Sequence, residues 1–247
     1  MTAEGGRGAP GMEARTWRFH TSIPPLPPRY TLAMSIEALP FERPALRGTL
    51  HLFAAFAAIG GTVWLLLIAD SPTGYVSAAV FGTSLMLLYG TSPTYHQVPW
   101  PPAWRHIPKR IDHAAIFVLI AGTYTPFCLN VSLAWGIPLL AVVWTLAVVG
   151  SLIKLLWPYG PRWFSFALYA GLGWVGVAGV SEAITAYATS SIALLLAGGI
   201  MYMIGGAIYA TRRPDPWPSV FGFHEVFHSF VVAGSLLHFA AIAFYII

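Results

Sequence analysis

His113 to Ile153 reads HAAIFVLIAGTYTPFCLNVSLAWGIPLLAVVWTLAVVGSLI, 41 residues between Asp112 and Lys154 without a charge. As one helix it would be roughly 60 Å long at 1.5 Å per residue, about twice the hydrocarbon thickness of a bilayer. The run therefore has to fold back. The polar stretch Asn130 to Trp135 marks the break, and Pro138 suits the start of the next helix.

The runs on either side extend the pattern. Arg47 to Asp70 encloses 22 uncharged residues, enough for one span, and Asp70 to Arg105 encloses 34. The second run carries Ser71-Pro72-Thr73-Gly74 at one end and Pro99, Pro101 and Pro102 at the other, which predicts a helix from about Gly74 to Val98. Further spans are expected from Arg162 to about Val180, about Thr189 to Ala210, and about Gly222 to Ile247. The expected fold is all-α, a bundle of seven transmembrane helices over residues 48–247. Glycines such as Gly171, Gly173, Gly176 and Gly179, or Gly198, Gly199, Gly205 and Gly206, read as close-packing positions.

Composition agrees, since 57% of residues are hydrophobic and only 9% charged. Soluble domains carry about a quarter charged residues, so this chain lacks the means to coat a water-facing surface. The net charge of +4 does not imply nucleic acid, because its basic residues stand singly at the ends of apolar runs. All 13 fall in or beside the N-terminal segment (Arg7, Arg15, Arg18, Arg29, Arg43, Arg47) or in alternate loops. Those loops hold Arg105, Lys109 and Arg110, then Lys154 and Arg162, then Arg212 and Arg213; the others hold Asp70 and Glu182. The positive-inside rule puts the N-terminus in the cytoplasm and the C-terminus outside, and the alternation requires the fold-back.

Residues 1–47 hold the proline cluster Pro24-Pro25-Leu26-Pro27-Pro28 and no apolar stretch long enough for a signal peptide. They are expected to form a disordered cytoplasmic tail. Met12 and Met34 are internal alternatives for the start of translation. The lone Cys128 excludes an internal disulfide and a thiolate-rich zinc site, so a transition metal would need nitrogen and oxygen ligands.

Ionisable groups inside a membrane are costly and by default mark function. Under this topology Ser92 and His96 near the end of helix 2, Asp112 and His113 at the start of helix 3, and His224, Glu225 and His228 at the start of helix 7 reach one depth. His224 and His228 are four apart, on one helix face. With His96 they would offer three ligands to a tetrahedral Zn²⁺, leaving a fourth position for water, and Asp112 would accept a hydrogen bond from that water or act as general base. The bland reading is a set of hydrogen-bonded packing histidines. His238 reads as a packing residue, His51 and His106 as interfacial or solvated, and His113 as turned away from Asp112's side. His224 to His228 also fits HExxH, with Glu225 as base. Val231 and Gly234 stand where the extended motif needs Gly and His, and no acid follows Glu225, which argues against a metalloprotease. Glu225 instead suits a helix N-terminus.

The stretches RGTLHL (Arg47 to Leu52), SPTYH (Ser92 to His96), IDHAAIFVLIAGTYTPF (Ile111 to Phe127) and FGFHEVFH (Phe221 to His228), with GGIMYMIGGAIY (Gly198 to Tyr209), occur in order on the expected spans. Over about residues 45–247 the chain resembles the hemolysin III family, bacterial relatives of the progestin and adipoQ receptors. The resemblance implies seven helices, a cytoplasmic N-terminus, and zinc held by His96, His224 and His228, with Ser92 and Asp112 beside its water. Pro93 departs from the common family pattern and is expected to kink helix 2. Three functions follow. One is zinc-dependent hydrolysis of a lipid amide or ester in the bacterial inner membrane, with membrane lipids or fatty acyl chains as partners. The second is a sensor or receptor of membrane composition with structural zinc, and the third is a lytic or channel-forming protein.

Overall fold

The computed structural model describes residues 44–247; the expected tail up to residue 43 and the alternative starts lie outside them. Eight α-helices follow: α1 Thr49–Ile68, α2 Pro72–Gln97, α3 His106–Leu129, α4 Leu133–Leu156, α5 Arg162–Trp174, α6 Val180–Ala186, α7 Thr189–Thr211 and α8 Phe223–Tyr245. A 3₁₀ turn, Val175–Gly179, joins α5 to α6. Each helix packs beside its neighbours in chain order or, for α5, beside α7, and α1 meets α8 to close the bundle.

The long uncharged run folds back at the expected place. Asn130 ends α3 by donating its side-chain amide to the Pro126 carbonyl at 2.8 Å. The Ser132 carbonyl then accepts from Gly136 N at 2.8 Å as α4 begins. The reversal is tight: a Cβ at Gly136 would lie 1.9 Å from the Cys128 carbonyl oxygen. One expectation is corrected here, since α4 starts at Leu133 and Pro138 sits inside it. Pro93 lies inside α2, one turn before its end. Ser71 caps α2 by accepting from Gly74 N at 3.0 Å, and Pro72 occupies the first turn, where its missing N–H costs nothing.

Five helices (α1, α3, α4, α7 and α8) are long and apolar enough to cross a membrane. Their outward side chains, among them Phe53, Phe56, Leu67, Leu152 and Leu196, are large, apolar and exposed, as lipid contact requires. α2 has the length, 26 residues, but is rich in Ser, Thr and Gly. Its polar groups Ser77, Ser84, Ser92 and His96 face inward, beside Phe81, Leu85 and Leu88 of the core.

The fifth span departs from expectation. Instead of one helix from Arg162 to about Val180, α5 stops at Trp174 and the chain continues through the 3₁₀ turn and α6. Tyr124 of α3 sits at the break. Its hydroxyl donates to the Gly173 carbonyl at 2.5 Å and accepts from Gly176 N at 2.7 Å, capturing backbone groups that a continuous helix would pair internally. The composite segment still runs end to end. Ser165 accepts from Lys154 Nζ at one end, and Tyr187 donates to the Phe127 carbonyl near the other. α2 and this segment occupy the places of the second and fifth expected spans.

Candidate metal centre

α2 ends, and α1, α3 and α8 begin, at the end of the bundle that carries Arg47, Arg105, Lys109, Lys154 and Arg162. Two of the helices present histidines to one point. His96 comes from the last turn of α2, His224 and His228 from the first turns of α8. One ring nitrogen from each of the three lies within 4.8 Å of the other two. His96 Nε2 and His224 Nε2 are 3.1 Å apart. Two ligands on a tetrahedral ion at 2.0–2.1 Å stand about 3.3 Å apart, so this pair has the spacing of donors sharing one cation. The His96–His228 and His224–His228 ring centroids are 5.4 and 4.4 Å apart. His228 is 3% exposed, and its Nδ1 is buried without a hydrogen-bond partner. This group of three can hold a metal ion.

The other expected residues are close by. Asp112 is buried at the start of α3 and has His113 Nδ1 at 3.4 Å from Oδ2. His113 also meets the Lys109 carbonyl at 2.9 Å. Ser92, one turn before His96, is buried and hydrogen-bonded through Oγ to His51 Nδ1 at 2.7 Å.

His51 overturns its expected solvated role. It is 3% exposed and stacks on His228, with centroids 3.6 Å apart and planes 10° from parallel. α1 begins at the same end as α8, so its first turn lies at the depth of the centre. That shared depth, together with the placement of His51 two residues into α1, was the available signal. Gly48 brings the turn in. It adopts φ 78°, and a Cβ there would stand 2.9 Å from His96 Cβ.

Glu225 is turned to structural work. Its Oε2 accepts from Gly222 N at 2.9 Å, and its Oε1 meets Arg47 Nε at 2.6 Å, with the carboxylate 1% exposed. The helix-start role is as expected, and the ion pair is an addition that spacing along the chain does not encode. Residues 44–47, assigned to the disordered tail, are in fact ordered. Ala45 N and Leu46 N donate to the carbonyls of Ser219 and Val220 at 3.0 and 3.1 Å, strapping the start of α1 to the loop before α8. Burial lowers the Arg47 pKa from its usual value, and Glu225 opposes that shift.

His238 is a packing residue, as expected. Its Nε2 meets the Leu195 carbonyl at 3.0 Å and its ring fills the space over Gly198. A buried polar chain between the two depths was not foreseen. Tyr89, whose ring lies edge-on to His51, donates to Ser235 Oγ at 2.6 Å, and Ser235 Oγ is hydrogen-bonded to Tyr202 OH at 2.7 Å.

The sequence model of haemolysin-III related proteins matches residues 40–239, and so takes in every residue of this centre. The chain belongs to that family. It is 33% identical over 199 residues to a hemolysin-3 homolog of Bacillus subtilis, covering 79% of this chain and 90% of the relative. Identity to hemolysin-3 of Bacillus cereus is 33% over 190 residues, or 74% and 83% of the two chains. Similarity extends to a progestin and adipoQ receptor-like protein 1 of Caenorhabditis elegans, 24% identical over 250 residues, 91% of this chain and 56% of that protein. This haemolysin-III family member is an integral membrane protein, of the bacterial plasma membrane by its Bacillus relatives.

Proposed function

We propose that this family member is a zinc-dependent hydrolase of membrane lipid amides or esters, working at the cytoplasmic ends of α2, α3 and α8. The observation that carries the reading is the convergence of His96, His224 and His228 within 4.8 Å, with the Nε2 atoms of His96 and His224 3.1 Å apart. A donor set of imidazoles alone favours zinc over magnesium or calcium. His96, His224 and His228 would hold the ion, which supplies Lewis acidity and brings water to a pKa of about 7.

The remaining chemistry belongs to the chain. Asp112, acid-base partner to the water, takes its proton and returns it to the departing amine or alcohol. Ser92, its hydroxyl held by His51, orients the polar end of the substrate. His51 stacks on His228 and fixes that ring's plane, as packing around a metal ligand does. An apolar bundle accommodates the acyl chain.

Fatty-acid release from ceramides and phospholipids by the purified, zinc-loaded protein tests this. Release is expected from the wild type, with a loss of at least about 100-fold in Asp112→Ala. Equal release by the variant would remove Asp112 from the mechanism. A second reading, a sensor with structural zinc, draws on the way the centre joins α2 to α8 where α1 also stacks. It predicts a lower melting temperature on zinc removal and no hydrolysis at all.

A further inference from the structure

A second cluster lies at the same end of the bundle, between α3, α4 and α5, with Arg162 over the Tyr209 and Phe223 rings at 5.3 and 5.2 Å. Lys154, in the last turn of α4, is only 1% exposed. Its ammonium donates to Ser165 Oγ at 2.5 Å and stands 6.0 Å from the Phe164 ring. Lys109, on the second turn of α3, has Nζ 4.0 Å from the centroid of the exposed Tyr159 ring. Lys109 is also within electrostatic reach of Arg162, Lys154 and Arg105. Arg162 opens α5, and one of its terminal nitrogens, Nη1, is buried without a hydrogen-bond partner. Among the described residues, the carboxylate ion pairs are those of Arg47 with Glu225 and His113 with Asp112, so none of these four cations has an acid within 4.0 Å.

Buried cations are normally paired. Here the buried Lys154 has only a hydroxyl, and the half-buried Lys109 and Arg162 have no acid within 4.0 Å either. The backbone adds to the positive field, because α5 starts at Pro161 with no side-chain cap and its first amides have no helical partners. Around the cluster, Trp157, Tyr159 and Trp163 are 50%, 67% and 65% exposed. Large aromatic rings at that level belong to the headgroup region of a bilayer.

We propose that Lys109, Lys154 and Arg162 form a binding site for the phosphodiester of an anionic glycerophospholipid, with Trp157 and Trp163 against its glycerol and upper acyl chains. A phosphate supplies acceptor oxygens to both ammonium groups and to the unpaired guanidinium nitrogen, and neutralises charge that the protein leaves uncompensated. The site stands independently of the metal centre and its chemistry.

The test uses full-length protein in a neutral detergent, its melting temperature followed while phosphatidylglycerol, phosphatidylcholine or inorganic phosphate is titrated. Phosphatidylglycerol is expected to raise the wild-type melting temperature saturably, by several degrees, with phosphatidylcholine and inorganic phosphate giving less than half that shift. Lys154→Met and Lys109→Gln should each lose most of the phosphatidylglycerol shift, while Arg213→Gln, exposed at the same end, should keep it. Lys109→Gln, at a half-buried position, keeps the test decisive if Lys154→Met does not fold. Equal shifts in wild type and Lys109→Gln, or equal shifts from the two lipids, would overturn the site. A full shift from inorganic phosphate would overturn the lipid as its occupant.

Discussion

Glu225 and the histidines on either side of it divide the work of a single helical turn. Two ring nitrogens 3.1 Å apart, from His96 and His224, repel one another when both present lone pairs, and a cation between them reverses the sign. His224→Ala is therefore expected to take metal content from about one equivalent to near zero, measured by elemental analysis of purified protein. Unchanged metal in that variant would remove the basis of the proposed chemistry. Glu225→Gln has a different signature. It leaves the Arg47 guanidinium beside a neutral amide in a place where the carboxylate was 1% exposed. Breaking such a pair costs roughly 3 kcal/mol, less where one partner reaches solvent, as Arg47 does. A lower melting temperature with zinc stoichiometry intact is the expected result. A metalloprotease-type base in that position would instead keep stability and lose activity.

Among the elements, the fifth passage shows how one side chain can interrupt a helix. Glycines at 171, 173, 176 and 179 weaken helix propensity there, and Tyr124 supplies a competing hydrogen-bond partner from across the bundle. Tyr124→Phe removes one part-buried and one exposed hydrogen bond, at a cost of about 0.5–1.5 kcal/mol in unfolding free energy. The variant is expected to unfold at lower denaturant with faster amide exchange across residues 172–179. The α3–α4 reversal depends on a missing side chain in the same way. Gly136→Ala would drive a methyl group into the Cys128 carbonyl, so the hairpin must open, and a loss of at least about 1–3 kcal/mol is expected by the same measurement.

Taken as a whole, the molecule keeps its polar groups in the interior near one end and its apolar groups toward lipid. The outward faces of α1, α4 and α7 carry Phe53, Val148 and Leu196 and their like, and the inward polar chain of Tyr89, Ser235 and Tyr202 is closed by its own hydrogen bonds. A water-filled pore needs polar groups open to water, whereas Ser77, Ser84, Ser92, Thr123, Thr125 and Ser235 of α2, α3 and α8 are each 8% exposed or less. Dye-loaded liposomes containing the purified protein are therefore expected to retain their contents, and rapid leakage would favour the lytic reading. Because His96 belongs to α2 and the other two histidines to α8, an ion between them ties the first half of the chain to the last. Chelation is expected to lower the melting temperature by several degrees, and restored zinc to recover it.

What the sequence by itself determined is what a bilayer imposes on any chain. The lengths of the uncharged runs, the fold-back at Asn130, the one-sided basic residues and the depth of His96, Asp112, His224 and His228 all follow from thickness, charge and 1.5 Å per residue. These quantities are one-dimensional, and the chain carries them openly. The tertiary structure alone decided rotation about each helix axis and the contacts between distant segments. His51 reaches Ser92 across 41 positions, and Tyr124 reaches Gly173 across 49. Arg47 closes on Glu225 from the opposite end of the chain. Hydropathy is nearly blind to rotation, because lipid and a packed helix neighbour are equally apolar, so only the assembled bundle fixes which faces meet.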